Sequence, residues 1–397
     1  MNIATHMSKT RISRRRLLKG VGAGAAISTI GMPTILRAAD QVKIGFMAPI
    51  TGDEALLGQT QLQCYQLAID DLNASGGIGG RQIVSIVEDD ETNTKATIDK
   101  ARKLIGRDNV DVIIGLLASF ERQAAMSVTI PAKKLLIYPT YYEGGDCNKY
   151  LINTGQLPNQ QIDPMVSYLV ENVGKTIYVI GHDYSWPRGS TAQMKKALEG
   201  LGGKLLGADF YPFGTQDFGT AFAKARDAKP DIIWLILVAG DAVTAVKQYR
   251  SFDVKQPLVF HAWDDSMLGA VTAAEQAGIL STQAYYQSLD NPANNAFKAR
   301  FAKKFGASVP INAIGESTYA STILYAKAVE KAGSVEPEKV IDAIGKIELE
   351  VPHGKLSINA GTHHARCGTI IAKVNNKSDF DVIKVTSPVE PVAGCSL

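Results

Sequence analysis

From Val42 onward, short apolar runs alternate with segments of helical period, and this alternation restricts the chain more than any other feature. It is the pattern of a doubly wound α/β fold with parallel sheets. Strands are predicted at 42–48, 83–88, 110–115, 135–138, 176–181, 204–210, 231–238, 257–260 and 282–286, with helices at 58–73, 93–105, 123–133, 163–172, 190–201, 218–228 and 242–251. After Asp290-Asn291-Pro292 the pattern changes: helices at 293–305, 316–332 and 337–344 precede shorter strands near Leu356, Ile370 and Val382. A single strand–helix series cannot place all of these on one sheet without an unusually wide core, so two lobes are predicted. Gly76-Gly77-Ile78-Gly79-Gly80 follows a helix and precedes a strand, the wrong order for a nucleotide-binding loop.

The N-terminus is a separate matter. Ser13-Arg14-Arg15-Arg16-Leu17-Leu18-Lys19 precedes a weakly apolar, Gly/Ala-rich run that ends before Arg37, the layout of a twin-arginine export signal over residues 1–39 with processing near Ala38 or Ala39. The run is shorter than the ~20 residues a membrane span needs. Residues 1–39 hold seven basic groups and no acidic ones, so the formal charge of +3 (42 basic, 39 acidic) becomes 35 − 39 = −4 after processing. A mildly acidic surface without a basic run offers no footprint for nucleic acid or anionic lipid. The expected compartment is the periplasm.

Cys64, Cys147, Cys367 and Cys395 allow three full pairings, and spacing alone does not choose among them. Cys147 and Cys395 lie in Gly/Asp-rich and tail segments whose backbone adjusts readily, which makes them the preferred disulfide in an oxidising compartment. Cys64 and Cys367 read as buried thiols. No metal-ligand spacing accompanies any of the four, and adjacent His363 and His364 on a strand point to opposite faces. No nucleophile elbow, Walker loop, zinc box or carboxylate pair is present, so neither an enzyme nor a cofactor is predicted.

Polar and aromatic residues gather just past the carboxyl ends of predicted strands, where ligands bind in open α/β sheets. Ser119 reads as a helix cap or a ligand contact, two compatible roles. Tyr138, Tyr141 and Tyr142 beside Pro139 read as a pocket wall rather than ordinary packing. Asp183 and Arg188 read as a structural turn pair, and Asp264 or Asp265 as a turn cap or a ligand group.

Tyr138-Pro139-Thr140-Tyr141-Tyr142-Glu143-Gly144, followed by Pro158-Asn159-Gln160 and Gly181-His182-Asp183-Tyr184-Ser185-Trp186-Pro187-Arg188, resembles the amide- and urea-binding branch of the leucine/isoleucine/valine-binding protein family. Ser288-Leu289-Asp290, Pro352-His353-Gly354 and Thr362-His363 extend the likeness over the chain after the export signal. The resemblance implies a two-lobed type I periplasmic-binding fold, α/β, each lobe a mostly parallel sheet flanked by helices, joined by a multi-strand hinge. It implies ligand contacts at Ser119, Tyr138, Thr140 and Tyr142 from one lobe, and at Tyr184, Trp186, Ala239 and Gly240 from the other. Trp186 stands where the branch carries a tyrosine. Asp264 stands where amino-acid-binding members hold the α-ammonium and the amide-binding branch uses a neutral hydroxyl.

The expectation is therefore a periplasmic receptor of an ABC importer that takes up an amino acid or an amide- or urea-like solute by lobe closure and passes it to a membrane permease, with no cofactor. A periplasmic ligand sensor is the alternative, and a periplasmic hydrolase a weaker one. Lobe 1 is expected at 40–156 plus 288–346, lobe 2 at 157–287 plus 347–397, with hinge strands near 151–157, 286–290 and 347–353. Replacing Arg14 and Arg15 by Lys is expected to stop export, read as loss of the processed protein from a periplasmic extract; unchanged export would exclude a twin-arginine signal.

Overall fold

The computed structural model describes residues 41–252 and 254–397; the export signal lies outside the described residues. Fifteen strands form two sheets. The first has the order β11-β12-β13-β5-β4-β3-β1-β2, from β1 (Gln41–Ala48), β2 (Gln82–Asp89), β3 (Val112–Gly115), β4 (Leu135–Tyr138), β5 (Leu151–Asn153), β11 (Glu348–Val351), β12 (Gly354–Asn359) and β13 (His364–Arg366). The second has the order β15-β14-β10-β9-β8-β6-β7, from β6 (Thr176–His182), β7 (Lys204–Tyr211), β8 (Ile232–Ile236), β9 (Leu258–Phe260), β10 (Leu280–Gln283), β14 (Ile370–Val374) and β15 (Phe380–Val385). Strands β1 to β5 and β6 to β10 pair in parallel, and antiparallel strands finish one edge of each sheet. The continuous apolar runs follow from this, because a parallel sheet covered on both faces buries every position: β3, β4 and β8 have no exposed residue.

Helices cover both sheets. Beside the first lie α1 (Ala55–Ala74), α2 (Thr94–Gly106), α3 (Ser119–Thr129), α9 (Pro292–Phe305), α10 (Ala313–Ala332) and α11 (Pro337–Ile344). Beside the second lie α4 (Pro158–Asn172), α5 (Ser185–Gly200), α6 (Gly219–Ala228), α7 (Ala239–Ser251) and the short α8 (Ala273–Gln276). Several begin three to five residues earlier than their apolar periodicity predicts: α3 at Ser119 rather than 123, α4 at Pro158 rather than 163, α5 at Ser185 rather than 190 and α7 at Ala239 rather than 242. Their first turns are polar or Pro-bearing and lack the apolar repeat, yet Pro is tolerated in a first turn because its missing N–H has no partner to lose there. No helix among the described residues is long and apolar enough to cross a membrane.

Among the described residues the regular elements cross between the sheets three times, from β5 to α4, from β10 to α9 and from β13 to β14, and the tail after β15 passes back a fourth time. The first two match the expected hinges near 151–157 and 286–290. The third lies at Cys367-Gly368-Thr369, not at 347–353, and so residues 348–366 belong to the first sheet rather than to lobe 2. The reason is a hairpin: Val351 pairs with Gly354 across Pro352-His353, so this turn ends a strand pair instead of bridging lobes. The hairpin buries Val351, Leu356 and Ile358 in one cluster with Val340 and Ile344 of α11. The strand expected at 282–286 runs instead at Leu280–Gln283, in register with β9, while Tyr285 and Tyr286 enter different apolar clusters.

The tail also returns to the first sheet. Cys395 is disulfide-bonded to Cys147 with Cα atoms 5.7 Å apart, and Ala393 packs with Tyr138, Tyr142 and Leu157. Cys64 and Cys367 are buried free thiols. Because this bond closes a loop of 248 residues, replacing both cysteines by Ser should lower stability by about 2–5 kcal/mol in denaturant titration. Cys147 and Cys395 should resist alkylation in unfolded, unreduced protein; labelling of all four thiols there would exclude the bond.

Candidate functional site

The loops after β1, β3 and β4 meet those after β6, β8 and β9, and helix N-termini line the junction: α1 and α3 from the first lobe, α5 and α7 from the second. Two loops are held in strained backbone. Leu116 has φ 72° and Ala239 φ 51°, values that disfavour residues with a side chain and cluster at functional sites. Gly115, at φ 127°, lets the first loop press onto β1; a Cβ there would lie 2.2 Å from the Met47 carbonyl oxygen.

Aromatic side chains close the junction. Tyr141 lies 5.0 Å from Trp186 between ring centroids and 6.3 Å from His261, and Phe120 packs edge-on against Tyr184 and Phe213, each at 6.1 Å. Leu57 and Leu117 of the first lobe belong to the same apolar cluster as Trp186, Trp234 and Trp263 of the second.

The hydroxyls named from the sequence have committed hydrogens. Ser119 Oγ donates to Glu143 Oε2 at 2.6 Å, Thr140 Oγ1 to the Leu116 carbonyl at 2.9 Å, and Tyr138 to the Leu117 carbonyl. A hydroxyl has one hydrogen and two lone pairs, so what Ser119 and Thr140 retain is acceptor capacity. Arg122 is committed on one side only: its Nη2 reaches Glu143 at 3.0 Å and Asp146 at 2.7 Å and its guanidinium lies 4.1 Å from the Tyr142 ring centroid, while its buried Nη1 has no partner among the described residues.

Tyr142 itself packs inside the first lobe, bonded to His364 and stacked on its ring, in a cluster without second-lobe residues. Tyr184 stacks on Phe213, Trp186 is buried against Tyr141, and Ala239 is buried at the first turn of α7 while Gly240 beside it is exposed. Asp183 and Arg188 form an exposed ion pair at 2.7 Å. Asp264 is buried and accepts from the Ser266 backbone N–H at 2.9 Å and the Ser266 hydroxyl at 2.5 Å, a turn cap. Burial pushes its pKa up to about 6 against those two bonds.

The residue-by-residue expectations did not include His261 or Glu54. Burial drives the His261 pKa down to about 3, so the ring is neutral. The Gln161 amide is oriented by donating to the Thr282 carbonyl at 2.8 Å; its oxygen therefore faces His261 Nε2 at 2.8 Å, which carries the hydrogen. Nδ1 is then an acceptor, and it has no partner among the described residues. Glu54 is the N-terminal cap residue of α1, fully buried, and its carboxyl group is hydrogen-bonded with that of the buried Glu121. Its position past the carboxyl end of β1 was the available signal, the same rule that located Ser119.

No group of three or more His, Cys, Asp or Glu among the described residues is arranged to hold a metal ion.

Comparison with known proteins follows this geometry. The profile of a family described as periplasmic binding protein matches residues 41–379. A leucine-, isoleucine-, valine-, threonine- and alanine-binding protein of Pseudomonas aeruginosa is 26% identical over 343 residues, 84% of this chain and 90% of the relative. Among solved structures, a branched-chain amino acid transporter substrate-binding protein from Streptococcus pneumoniae in complex with isoleucine superposes with TM-score 0.79 at 21% identity, covering 88% of this chain and 100% of the other. A solute-binding protein of an R. palustris ABC transporter in complex with benzoate does so with TM-score 0.82 at 21% identity, covering 90% and 100%.

The raised Asp264 pKa carries a stability consequence. Between its unfolded value and about 6 the folded state binds the extra proton, so stability falls as pH rises through that window and the loss is complete above it. Asp264→Asn should therefore stabilise the ligand-free protein by about 2–3 kcal/mol at pH 7.5, and by nothing at pH 4, in denaturant titrations at both pH values.

Proposed function

The chain belongs to the periplasmic binding protein family, whose members bind rather than transform their solutes, and we propose that it is the exported receptor of an ABC importer for a small solute rich in N–H donors, an amino acid or an amide- or urea-like compound. Support comes chiefly from the committed hydroxyls. Ser119 and Thr140 spend their hydrogens within the first lobe and retain acceptor capacity, and the buried His261 Nδ1 is an acceptor with no partner among the described residues. A buried acceptor without a partner costs about 1–3 kcal/mol, so the preferred solute is one that supplies hydrogens. A bare carboxylate such as benzoate supplies none. Amino acids, amides and ureas do, and the P. aeruginosa relative is named for aliphatic amino acids.

In this reading Ser119, Tyr138 and Thr140 receive the solute on the first lobe, and Tyr184, Trp186 and the first turn of α7 at Ala239 and Gly240 cover it from the second. Asp264 keeps carboxylate capacity for an ammonium group. Closure about the three crossings excludes water, which raises the penalty for a mismatched solute. The closed form is what a permease would recognise.

A thermal-shift screen over amino acids, short amides, urea and aromatic acids tests the reading. A solute present at 100 times its Kd should add about 2.7 kcal/mol of stability. X-ray scattering should show compaction with the best hit, and mass analysis should return it unchanged; a converted solute would show a hydrolase, and an unchanged radius would exclude closure.

A further inference from the structure

The geometry points to Gly189 as the residue that sets how far the two lobes close on a solute, acting against a fixed stop at Glu143. This inference rests on the reading of the chain as a solute receptor that closes.

A glycine inside a helix costs backbone entropy relative to alanine and brings no side chain to the packing, so its place there calls for a cause. Gly189 lies within α5, where Trp186, Pro187, Ser190 and Thr191 around it are buried. A Cβ on Gly189 would fall 2.5 Å from Glu143 Cβ, 3.5 Å from its Cγ and 3.6 Å from its Cα. Glu143 belongs to the loop after β4 in the first lobe and α5 lies beside the second sheet, so this approach is made between lobes.

The contact continues a line along the start of α5. Tyr184, its cap residue, meets Phe120 of α3 edge-on at 6.1 Å, and Trp186 meets Tyr141 at 5.0 Å. Those aromatic pairs adjust by rotating side chains. Glu143 Cβ does not, because it is fixed to the backbone.

The backbone behind Glu143 is held in turn. Its carboxylate accepts from the Ser119 hydroxyl at 2.6 Å and from Arg122 Nη2 at 3.0 Å. Asp146 accepts from Arg122 Nε at 2.9 Å and Nη2 at 2.7 Å. The Gly145 N–H donates to the Ala393 carbonyl at 2.8 Å, and Cys147 is bonded to Cys395. Segment 143–147 is therefore tied both to α3 and to the tail. A methyl group added at Gly189 overpacks this contact, and the lobes part more easily than the tied loop deforms. Parting withdraws the second-lobe groups from a solute held by the first and readmits water.

Two effects of opposite sign follow from one methyl group. In the open, ligand-free protein Gly189→Ala favours the helix, so Tm holds or rises. In the closed form the same group meets Glu143, so affinity and compaction fall. A glycine kept for packing alone would show a lower Tm.

The test compares processed wild type with Gly189→Ala, using leucine, acetamide and urea as probes, by calorimetry, X-ray scattering and thermal denaturation. For a compound that binds wild type, Gly189→Ala should weaken affinity at least about tenfold and hold the radius near its ligand-free value, with no fall in ligand-free Tm. Wild-type affinity and compaction in the variant overturn the role of Gly189 and leave the receptor reading standing, whatever happens to Tm. A cross-link tests the contact without any solute. In Glu143→Cys with Gly189→Cys, mild oxidation should join the two lobes, since slight parting brings the Cβ atoms to disulfide range. The joined protein should have the compact radius and lose two alkylatable thiols. If both thiols stay free and open to alkylation, the contact is not made and the inference falls even when a solute binds. If none of the three compounds binds wild type, the receptor reading for amino acids, amides and ureas falls, and the cross-link alone decides on Gly189.

Discussion

Parallel pairing is the constraint on which the rest of this structure depends. In the first sheet β1, β3 and β4 run side by side in parallel, and in the second β6, β8 and β9 do the same. Parallel strands need a crossover between each pair, so every carboxyl end emerges on one edge and every following helix begins there. Two such edges face one another because the regular elements cross between the sheets three times. The helix N-termini, the strained residues Leu116 and Ala239, and aromatic residues such as Tyr141, Tyr184 and Trp186 collect at that junction for the same reason, whereas Tyr142 turns into the first lobe.

What the junction can hold is set by where its hydrogens point. The family resemblance places hydroxyls at Ser119 and Thr140, which suggests donors for a carboxylate. The structure aims their hydrogens at Glu143 and at the Leu116 carbonyl, leaving lone pairs. Arg122 is paired with Glu143 and Asp146 through Nη2, and its Nη1 is a buried donor without a partner among the described residues.

The sequence was most legible where periodicity is strong and local. Nearly every strand of the two parallel series was placed within two residues, because each is a continuous apolar run bounded by turn residues. It was least legible at helix starts. The first turns of α3, α4, α5 and α7 carry no apolar repeat, so these helices start three to five residues before the bounds that periodicity predicts. The hairpin at Pro352-His353 was misplaced for a related reason, since a two-residue turn and a lobe crossing look alike until the strands on either side are seen to pair.

By itself the sequence determined the α/β class, the presence of two lobes and the strand ends at which candidate binding residues gather, and it favoured Cys147 with Cys395 without fixing the pairing. These follow from local period, from chain length and from the flexibility of the segments around each cysteine. Only the tertiary structure decided that residues 348–366 complete the first sheet, that Tyr142 turns inward to His364, and that the buried carboxyl groups of Glu54 and Glu121 meet. The physical reason is the same in each case. Register, burial and the direction of a hydrogen bond are properties of contacts between distant segments, and a residue's type states what it can donate or accept but not what it meets.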